Sequence, residues 1–243
     1  MHISGKTDVG LKRQTNQDAF FIRTLEDGAA VAVVCDGMGG ANAGNVASET
    51  ACEIISGYIL NSYRSDMDNF ELEKLLKNAI VSANLEVYDM SLKNDELKGM
   101  GTTVVLALAR ENSAVIAHVG DSRAYLAGEQ LKLLTRDHSV VQSLIESGKI
   151  TLEDAKVLPR KNVITRALGA EENVTPDCRE VTLEENDVLL LCTDGLTGYA
   201  DEADILKIIK NDALNSSVPL IELAKNGGGG DNITVVTITN RLA

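Results

Sequence analysis

Proline is scarce in this chain, three among 243 residues, and no apolar run approaches the roughly 20 residues that a membrane-spanning helix needs. With 44% hydrophobic and 24% charged residues, the composition is that of a soluble globular protein rather than a low-complexity or membrane-inserted one. Basic residues are also in short supply. The net charge of −13 excludes nucleic acid and anionic membrane as default partners. The opening residues, Met1 to Lys6, lack the apolar core of a signal peptide. No CxxC spacing occurs among Cys35, Cys52, Cys178 and Cys192, so the cysteines read as reduced, packed residues of a cytoplasmic protein. Nor is there a Gly-x-Ser-x-Gly, a P-loop or a dinucleotide fingerprint.

What is present is a set of apolar strands that end or begin on an acid. Val31 to Cys35 runs straight into Asp36-Gly37-Met38-Gly39-Gly40, and Val188 to Thr193 runs into Asp194-Gly195. Short valine- and leucine-rich runs closed by Asp-Gly read as buried strands delivering a carboxylate to a sheet edge. Two further acids stand at the opposite ends of strands: Asp18 before Ala19 to Ile22, and Asp231 before Asn232 to Ile238. If these strands lie antiparallel, all four carboxylates collect on one edge. Such a cluster repels itself without cations, and oxygen-only ligands suit Mg²⁺ or Mn²⁺.

Along the chain, strands are expected over 2–9, 19–23 and 30–36. Amphipathic helices follow over about 43–62 and 69–91, each with one apolar face at three/four spacing. Segments 104–109, 113–119, 124–126 and 131–134 read as an antiparallel meander. Residues 138–168 break the strand rhythm with short helices, and Lys149, Lys156, Arg160, Lys161 and Arg166 make them the most basic part of an acidic chain. Strands resume near 179–183 and 187–193; helices over 202–211 and 217–225 precede the last strand. This order fits two sheets with helices outside them, and no linker divides 1–243 into separate domains.

Asp36, Asp194 and Asp231 are the primary candidate metal ligands. Carboxylates so clustered can bridge two cations, and a water held between them becomes a hydroxide nucleophile near neutral pH. Arg13, on the loop before Asp18, offers a guanidinium fork for two phosphate oxygens. Asp121, in the turn Gly120-Asp121-Ser122-Arg123, is a candidate for a further ligand. The run Gly227 to Gly230 is expected to let backbone pass close to the metal ahead of Asp231. His118 and His138 lack metal-ligand spacing and are read as structural.

These residues belong to a longer pattern. Arg13-Gln14-Thr15-Asn16-Gln17-Asp18, Asp36-Gly37-Met38-Gly39-Gly40, Gly99-Met100-Gly101-Thr102-Thr103, Gly120-Asp121-Ser122-Arg123, Asn162 to Gly169, Thr193-Asp194-Gly195 and Gly230-Asp231-Asn232-Ile233-Thr234 occur in order across the chain. Together they resemble the metal-dependent Ser/Thr protein phosphatases of the 2C type, in particular the single-domain bacterial members. The resemblance implies an α+β fold, a four-layer α-β-β-α sandwich of two antiparallel sheets flanked by helix pairs. It also implies a small flap subdomain at about 138–168, beside the site and able to read phosphoprotein substrates. By position, Asp36 bridges two metals, the Gly37 carbonyl binds one, Asp194 and Asp231 hold the other, and Asp121 with Asp194 forms a third-metal site. Asp18 accepts hydrogen bonds from metal-bound waters, and Arg13 grips the phosphate.

Two departures stand out. Many eukaryotic relatives carry a histidine, a candidate general acid, where this chain has Met38, and a glutamate where it has Gln17. The expected activity is hydrolysis of phosphoserine and phosphothreonine on proteins by a metal-bridging hydroxide, opposing a bacterial Ser/Thr kinase in signalling. The expected partners are phosphorylated proteins, with no nucleic acid and no membrane insertion, and the expected state is a monomer. A catalytically silent phosphoprotein-binding module and a phosphatase of small phosphoesters are the rivals.

Overall fold

The computed structural model describes residues 1–40, 43–157 and 163–240. Its strands form two antiparallel sheets. The first is ordered β1 (His2–Asp8), β11 (Ile233–Thr239), β10 (Val188–Cys192), β7 (Arg123–Ala127) and β8 (Leu131–Leu133). The second is ordered β2 (Asp18–Thr24), β3 (Ala30–Met38), β5 (Val104–Arg110), β6 (Ser113–Val119) and β9 (Asp177–Thr182), with the short β4 (Gly101–Thr102) paired to the end of β3.

Strand β3 shows why its sequence is apolar without interruption. Side chains alternate between faces along a strand. Val31, Val33 and Cys35 pack toward the helices, while Ala30, Ala32 and Val34 pack toward the other sheet. Both faces are buried, so both phases of the alternation are apolar. On the outer side of the second sheet lie α1 (Ala43–Ser62) and α2 (Asn69–Lys93). Ala47, Ala51, Ile55 and Ile59 of α1 and Leu72, Leu76, Ile80 and Val87 of α2 fill that core layer. A reciprocal capping box starts α2: Asp68 Oδ1 accepts from the Glu71 N–H at 2.8 Å, and Glu71 Oε2 accepts from the Asp68 N–H at 3.0 Å.

The central layer joins the sheets through Ala32, Val34, Val105, Leu189, Leu191 and Val236. Behind the first sheet, Ile205 and Ile209 of α6 (Glu202–Asn211) and Leu220, Ile221 and Ala224 of α7 (Ser217–Asn226) pack on Leu190, Cys192 and Val235. Each fully buried leucine contributes about 1.5–3 kcal/mol of transfer free energy to this stack. The result is the expected four-layer α+β sandwich. Among the described residues, no helix is long and apolar enough to cross a membrane. Cys35, Cys52, Cys178 and Cys192 are all unbridged.

Two expectations need correction. The strands over 104–134 are not one meander. β5 and β6 pair in one sheet, β7 and β8 in the other, and the Gly120–Ser122 turn carries the chain between the sheets. Turn residues signal a reversal equally well within a sheet and between two, so the pattern could not separate them. Asp194, expected to close the strand Val188 to Thr193, instead opens a one-turn helix, α5 (Asp194–Thr197), after the strand has ended at Cys192.

Between β8 and β9 the chain leaves the sheets through α3 (Val140–Glu146) and α4 (Leu152–Val157). It returns where Ser139 pairs with Ile164 and the Val140 N–H donates to the Val163 carbonyl at 2.9 Å. Arg160, Lys161 and Asn162 lie outside the described residues.

Candidate metal centre

The sheet registers bring the acids together two by two. In the second sheet, β2 and β3 run antiparallel with Asp18 directly opposite Asp36. In the first, β10 and β11 are antiparallel neighbours, so Asp194, just after β10, and Asp231, just before β11, share one edge. The crossover between sheets adds Asp121. Asp36, Gly37, Asp121, Asp194, Asp231 and Arg13 line one cleft of about 260 Å³.

Close backbone approach shapes this edge. A Cβ on Gly37 would lie 2.1 Å from the Gly44 carbonyl oxygen and 2.5 Å from that of Gln17. Only glycine lets the end of β3 pass between the Gln17 loop and the start of α1. Thr103 pins Asp36 from the other side: its hydroxyl accepts from the Asp36 N–H at 3.1 Å, and its own N–H donates to the Asp36 carbonyl at 2.9 Å. Asn232 ties the Arg13 loop to β11. Its Nδ2 donates to the Val9 and Thr15 carbonyls, both at 3.0 Å, and its Oδ1 accepts from the Gln17 N–H at 2.8 Å. Arg13 reaches back from that loop to Asp231 Oδ2 at 2.9 Å, with about half of its side chain exposed at the rim.

The electrostatics of the cluster are those of crowded, dehydrated carboxylates. Burial, then the charges of Asp18, Asp194, Asp121 and Asp231, pushes the Asp36 carboxyl well above the usual carboxylate range. Burial and the charge of Asp194 push Asp121 up to about 7. Asp18 is likewise pushed up to about 7, chiefly by burial, although two hydroxyls oppose the shift. Among the described residues lining the cleft, Arg13 is the one cation.

Asp18 lies beneath the cleft and is buried. Its Oδ2 accepts from Thr193 Oγ1 at 3.1 Å and from Thr234 Oγ1 at 2.7 Å. Thr234 has one hydroxyl proton and spends it on Asp18, so the Thr7 hydroxyl, 2.7 Å away, must donate to Thr234. Thr7 in turn accepts from Asn16 Nδ2 at 2.8 Å. Both hydroxyls that reach Asp18 donate to Oδ2. The other oxygen, Oδ1, is buried with no hydrogen-bond partner. A buried acceptor left unmatched costs about 1–3 kcal/mol. An all-oxygen donor set, like charges facing one another and an orphaned carboxylate oxygen together fit hydrated divalent cations of the Mg²⁺ or Mn²⁺ kind.

Residues 11–217 match the family model described as Protein phosphatase 2C. The chain belongs to the protein phosphatase 2C family. It is 39% identical to the serine/threonine phosphatase stp of Listeria innocua serovar 6a, over 100% of this chain and 97% of that protein. It is 36% identical to the protein phosphatase PhpP of Streptococcus pneumoniae, over 98% of this chain and 97% of the relative. Among solved structures, the serine/threonine phosphatase Stp1 of Staphylococcus aureus superposes with a TM-score of 0.91 at 36% identity, covering 98% of this chain and 95% of that one. The catalytic domain of the serine/threonine protein phosphatase PstP, solved in complex with two manganese ions, superposes at 0.84 with 32% identity, covering 97% of this chain and 96% of the other.

Within this 2C-family cleft, the site residues expected from the sequence all converge, Asp18 from below and Arg13 from the rim. Thr7, Asn16, Thr193, Thr234, Asn232 and Thr103 were not assigned roles by sequence reasoning, although several stand inside the quoted motifs. Two glycines of the run ahead of Asp231 are required by packing. A Cβ on Gly227 would sit 1.9 Å from the Tyr199 carbonyl oxygen and one on Gly230 2.1 Å from the Tyr199 hydroxyl. Gly227 and Gly230 thus pass against Tyr199, and Gly229 against Leu11 and Lys225.

A second cluster stands beside the first. His118, His138 and Asp177 place possible ligand atoms within 4.8 Å of one another. Counting protons shows them already engaged. His118 Nε2 lies 2.8 Å from the Arg136 carbonyl, which only accepts, so it carries the proton. His138 Nδ1 accepts from the Gly120 N–H at 3.0 Å, which assigns its proton to Nε2, facing Asp177 Oδ2 at 3.4 Å. Arg166 Nη1 spends both protons on the Thr175 carbonyl and Asp177 Oδ1, each at 2.7 Å. Arg166, counted by sequence among the basic residues of the flap, is therefore tied to β9.

Proposed function

We propose that this 2C-family protein hydrolyses phosphoserine and phosphothreonine monoesters on proteins. Asp36, the Gly37 carbonyl, Asp194 and Asp231 are the proposed holders of two divalent cations, Mn²⁺ or Mg²⁺, and Asp121 with Asp194 of a third. The observation that carries this reading is the meeting of Asp18, Asp36, Asp121, Asp194 and Asp231 at one edge, with a buried Asp18 oxygen left unmatched. Bound there, the cations supply Lewis acidity: they make hydroxide available near neutral pH and neutralise phosphoryl oxygens.

The chain's own groups do the positioning. Asp18, its Oδ2 fixed by Thr193 and Thr234, keeps Oδ1 free of protein donors and so able to accept from a metal-bound water. Arg13 presents a guanidinium fork at the rim, where it holds phosphoryl oxygens and exchanges its contact with Asp231 for the substrate. Among the described residues, no side chain is set up to form a phosphoenzyme. Thr103 and Ser122 share a hydrogen bond of 2.7 Å in the interior, and burial pushes the Cys192 thiol up to about 12. Met38, a thioether, has no proton to give, so water or a group other than residue 38 protonates the leaving serine or threonine oxygen.

We read 1–243 as one catalytic domain whose segment 138–168 is a flap for phosphoprotein substrates. The protein acts as a monomer in the cytoplasm, opposing a Ser/Thr kinase and its substrates. The test is Mn²⁺-dependent release of phosphate from a phosphothreonine peptide, with free phosphoserine as the control. Wild type should prefer the peptide and Asp231→Asn should be nearly inactive. Full activity in Asp231→Asn would overturn the ligand assignment.

A further inference from the structure

The Gly120–Ser122 crossover has an unusual task. It must hold the Asp121 carboxylate in the cleft against the charge of Asp194, although it belongs to neither sheet. Its first residue must be glycine: Gly120 has φ +107°, and a Cβ there would lie 2.6 Å from the Thr103 side chain. The Thr103–Ser122 hydrogen bond, 2.7 Å, holds its far end, and the next segment holds Gly120. The Gly120 N–H donates to His138 Nδ1 at 3.0 Å, and the His138 N–H donates back to the Gly120 carbonyl at 3.0 Å. The neighbouring pair repeats the arrangement: Arg123 Nη2 donates to Asp137 Oδ2 at 2.7 Å, and Arg123 Nε to Asp137 Oδ1 at 2.9 Å.

His138 also stands at the base of the flap. Its carbonyl accepts from the Thr165 N–H at 2.7 Å where the chain returns to the sheets. Its ring is buried and fixed from two further sides, stacked on His118 at 4.8 Å and 15°, with Nε2–H toward Asp177. Burial, then His118 and Arg166, lowers its basicity, to a pKa of about 4. The ring is therefore neutral at physiological pH, and Nδ1 keeps its lone pair for Gly120.

We propose that His138 is a positioning residue: its Nδ1 fixes the Gly120 amide, and so the Asp121 carboxylate, and links that arm of the metal site to the base of the flap. The inference rests on the reading of Asp121 as a metal ligand. It follows from geometry that asparagine should substitute for histidine here, because Asn Oδ1 occupies the place of His Nδ1, whereas Gln Oε1 lies one bond too far out.

The experiment is a calorimetric titration of the full chain with Mn²⁺, in wild type, His138→Asn, His138→Gln, His138→Leu, Asp121→Ala and the double variant His138→Leu/Asp121→Ala. The binding step to follow is the one that Asp121→Ala abolishes. His138→Leu and His138→Gln should weaken that step by about 10–100-fold, the usual loss on removing a partner that orients a ligand. His138→Asn should stay within about threefold of wild type, and His138→Leu should add nothing once Asp121 is gone. The His138→Gln and His138→Asn pair keeps the test decisive if the leucine variant fails to fold. Wild-type Mn²⁺ binding in His138→Gln, or an equal loss in His138→Asn and His138→Gln, would overturn the inference while leaving Asp121 a ligand. Unaltered binding in Asp121→Ala would instead overturn the ligand reading, and this inference with it.

Discussion

On one side of the Gly120–Ser122 crossover lie Asp18, Asp36, Asp121, Asp194 and Asp231; on the other lie His118, His138, Asp177 and Arg166. Both groups gather side chains that ligate metals, and both draw on several elements. They differ in what remains unmet. In the histidine cluster the His118 proton has the Arg136 carbonyl as its acceptor, His138 Nε2 faces Asp177 Oδ2 at 3.4 Å, and a guanidinium already answers the Asp177 charge. In the aspartate cluster, carboxyls raise one another's pKa, the one lining cation among the described residues sits at the rim, and a buried oxygen has no donor. Proximity of ligand types is common to both. Unanswered charge and an orphaned acceptor are what distinguish a site that binds cations from one that holds the fold together.

The comparison can be broken most forcefully at Asp36. Asp36→Asn should reduce phosphopeptide hydrolysis by about 10³-fold, the upper range for removing a group that organises transition-state charge. Thr234→Val tests whether the relay beneath the cleft matters. It preserves shape while removing the 2.7 Å donor to Asp18, and should weaken Mn²⁺-dependent activity by about 10–100-fold, with its pH profile moved toward higher pH.

A smaller effect concerns stability. In the metal-free protein Asp18 and Asp121 have carboxyls raised from 3.8 to about 7. Between those values the folded chain binds more protons than the unfolded one, so stability falls as pH rises through the window. The Tm without metal should therefore be lower at pH 7.5 than at pH 5. Mn²⁺ at 100 times its Kd should raise it at pH 7.5 by about 5–10 °C, and by less at pH 5, where protons compete. A metal-free Tm that climbs between pH 5 and 7.5 would contradict this account. The smallest effect belongs to the other cluster: Asp177→Asn, which keeps an acceptor for His138, should leave the number of bound Mn²⁺ ions unchanged in the same titration.

Asp18, Asp36, Asp194 and Asp231 were legible because each closes or opens an apolar run, and antiparallel pairing then leaves few places for them to go. The order of strands and helix pairs pointed to two sheets with helices outside them, and the resemblance to the 2C-type phosphatases implied the four layers. Other features had no sequence signal. Thr193 and Thr234 look like ordinary β-branched strand residues, and only the register shows their hydroxyls meeting at Asp18. Helix α5 is a single turn, too short for periodicity. The Gly120 turn reads alike whether it joins strands of one sheet or of two. Arg166 contributes to basic composition, yet its charge is matched by Asp177.

The most direct test is the stoichiometry of Mn²⁺ binding to the metal-free chain, measured by calorimetry on wild type and on Asp36→Asn. Wild type should take up at least two ions, and the variant, folded but lacking the shared carboxylate, should lose tight binding of both. A wild-type protein that binds no Mn²⁺, or an Asp36→Asn protein that binds it as wild type does, would contradict the claim that these aspartates converge to hold divalent cations.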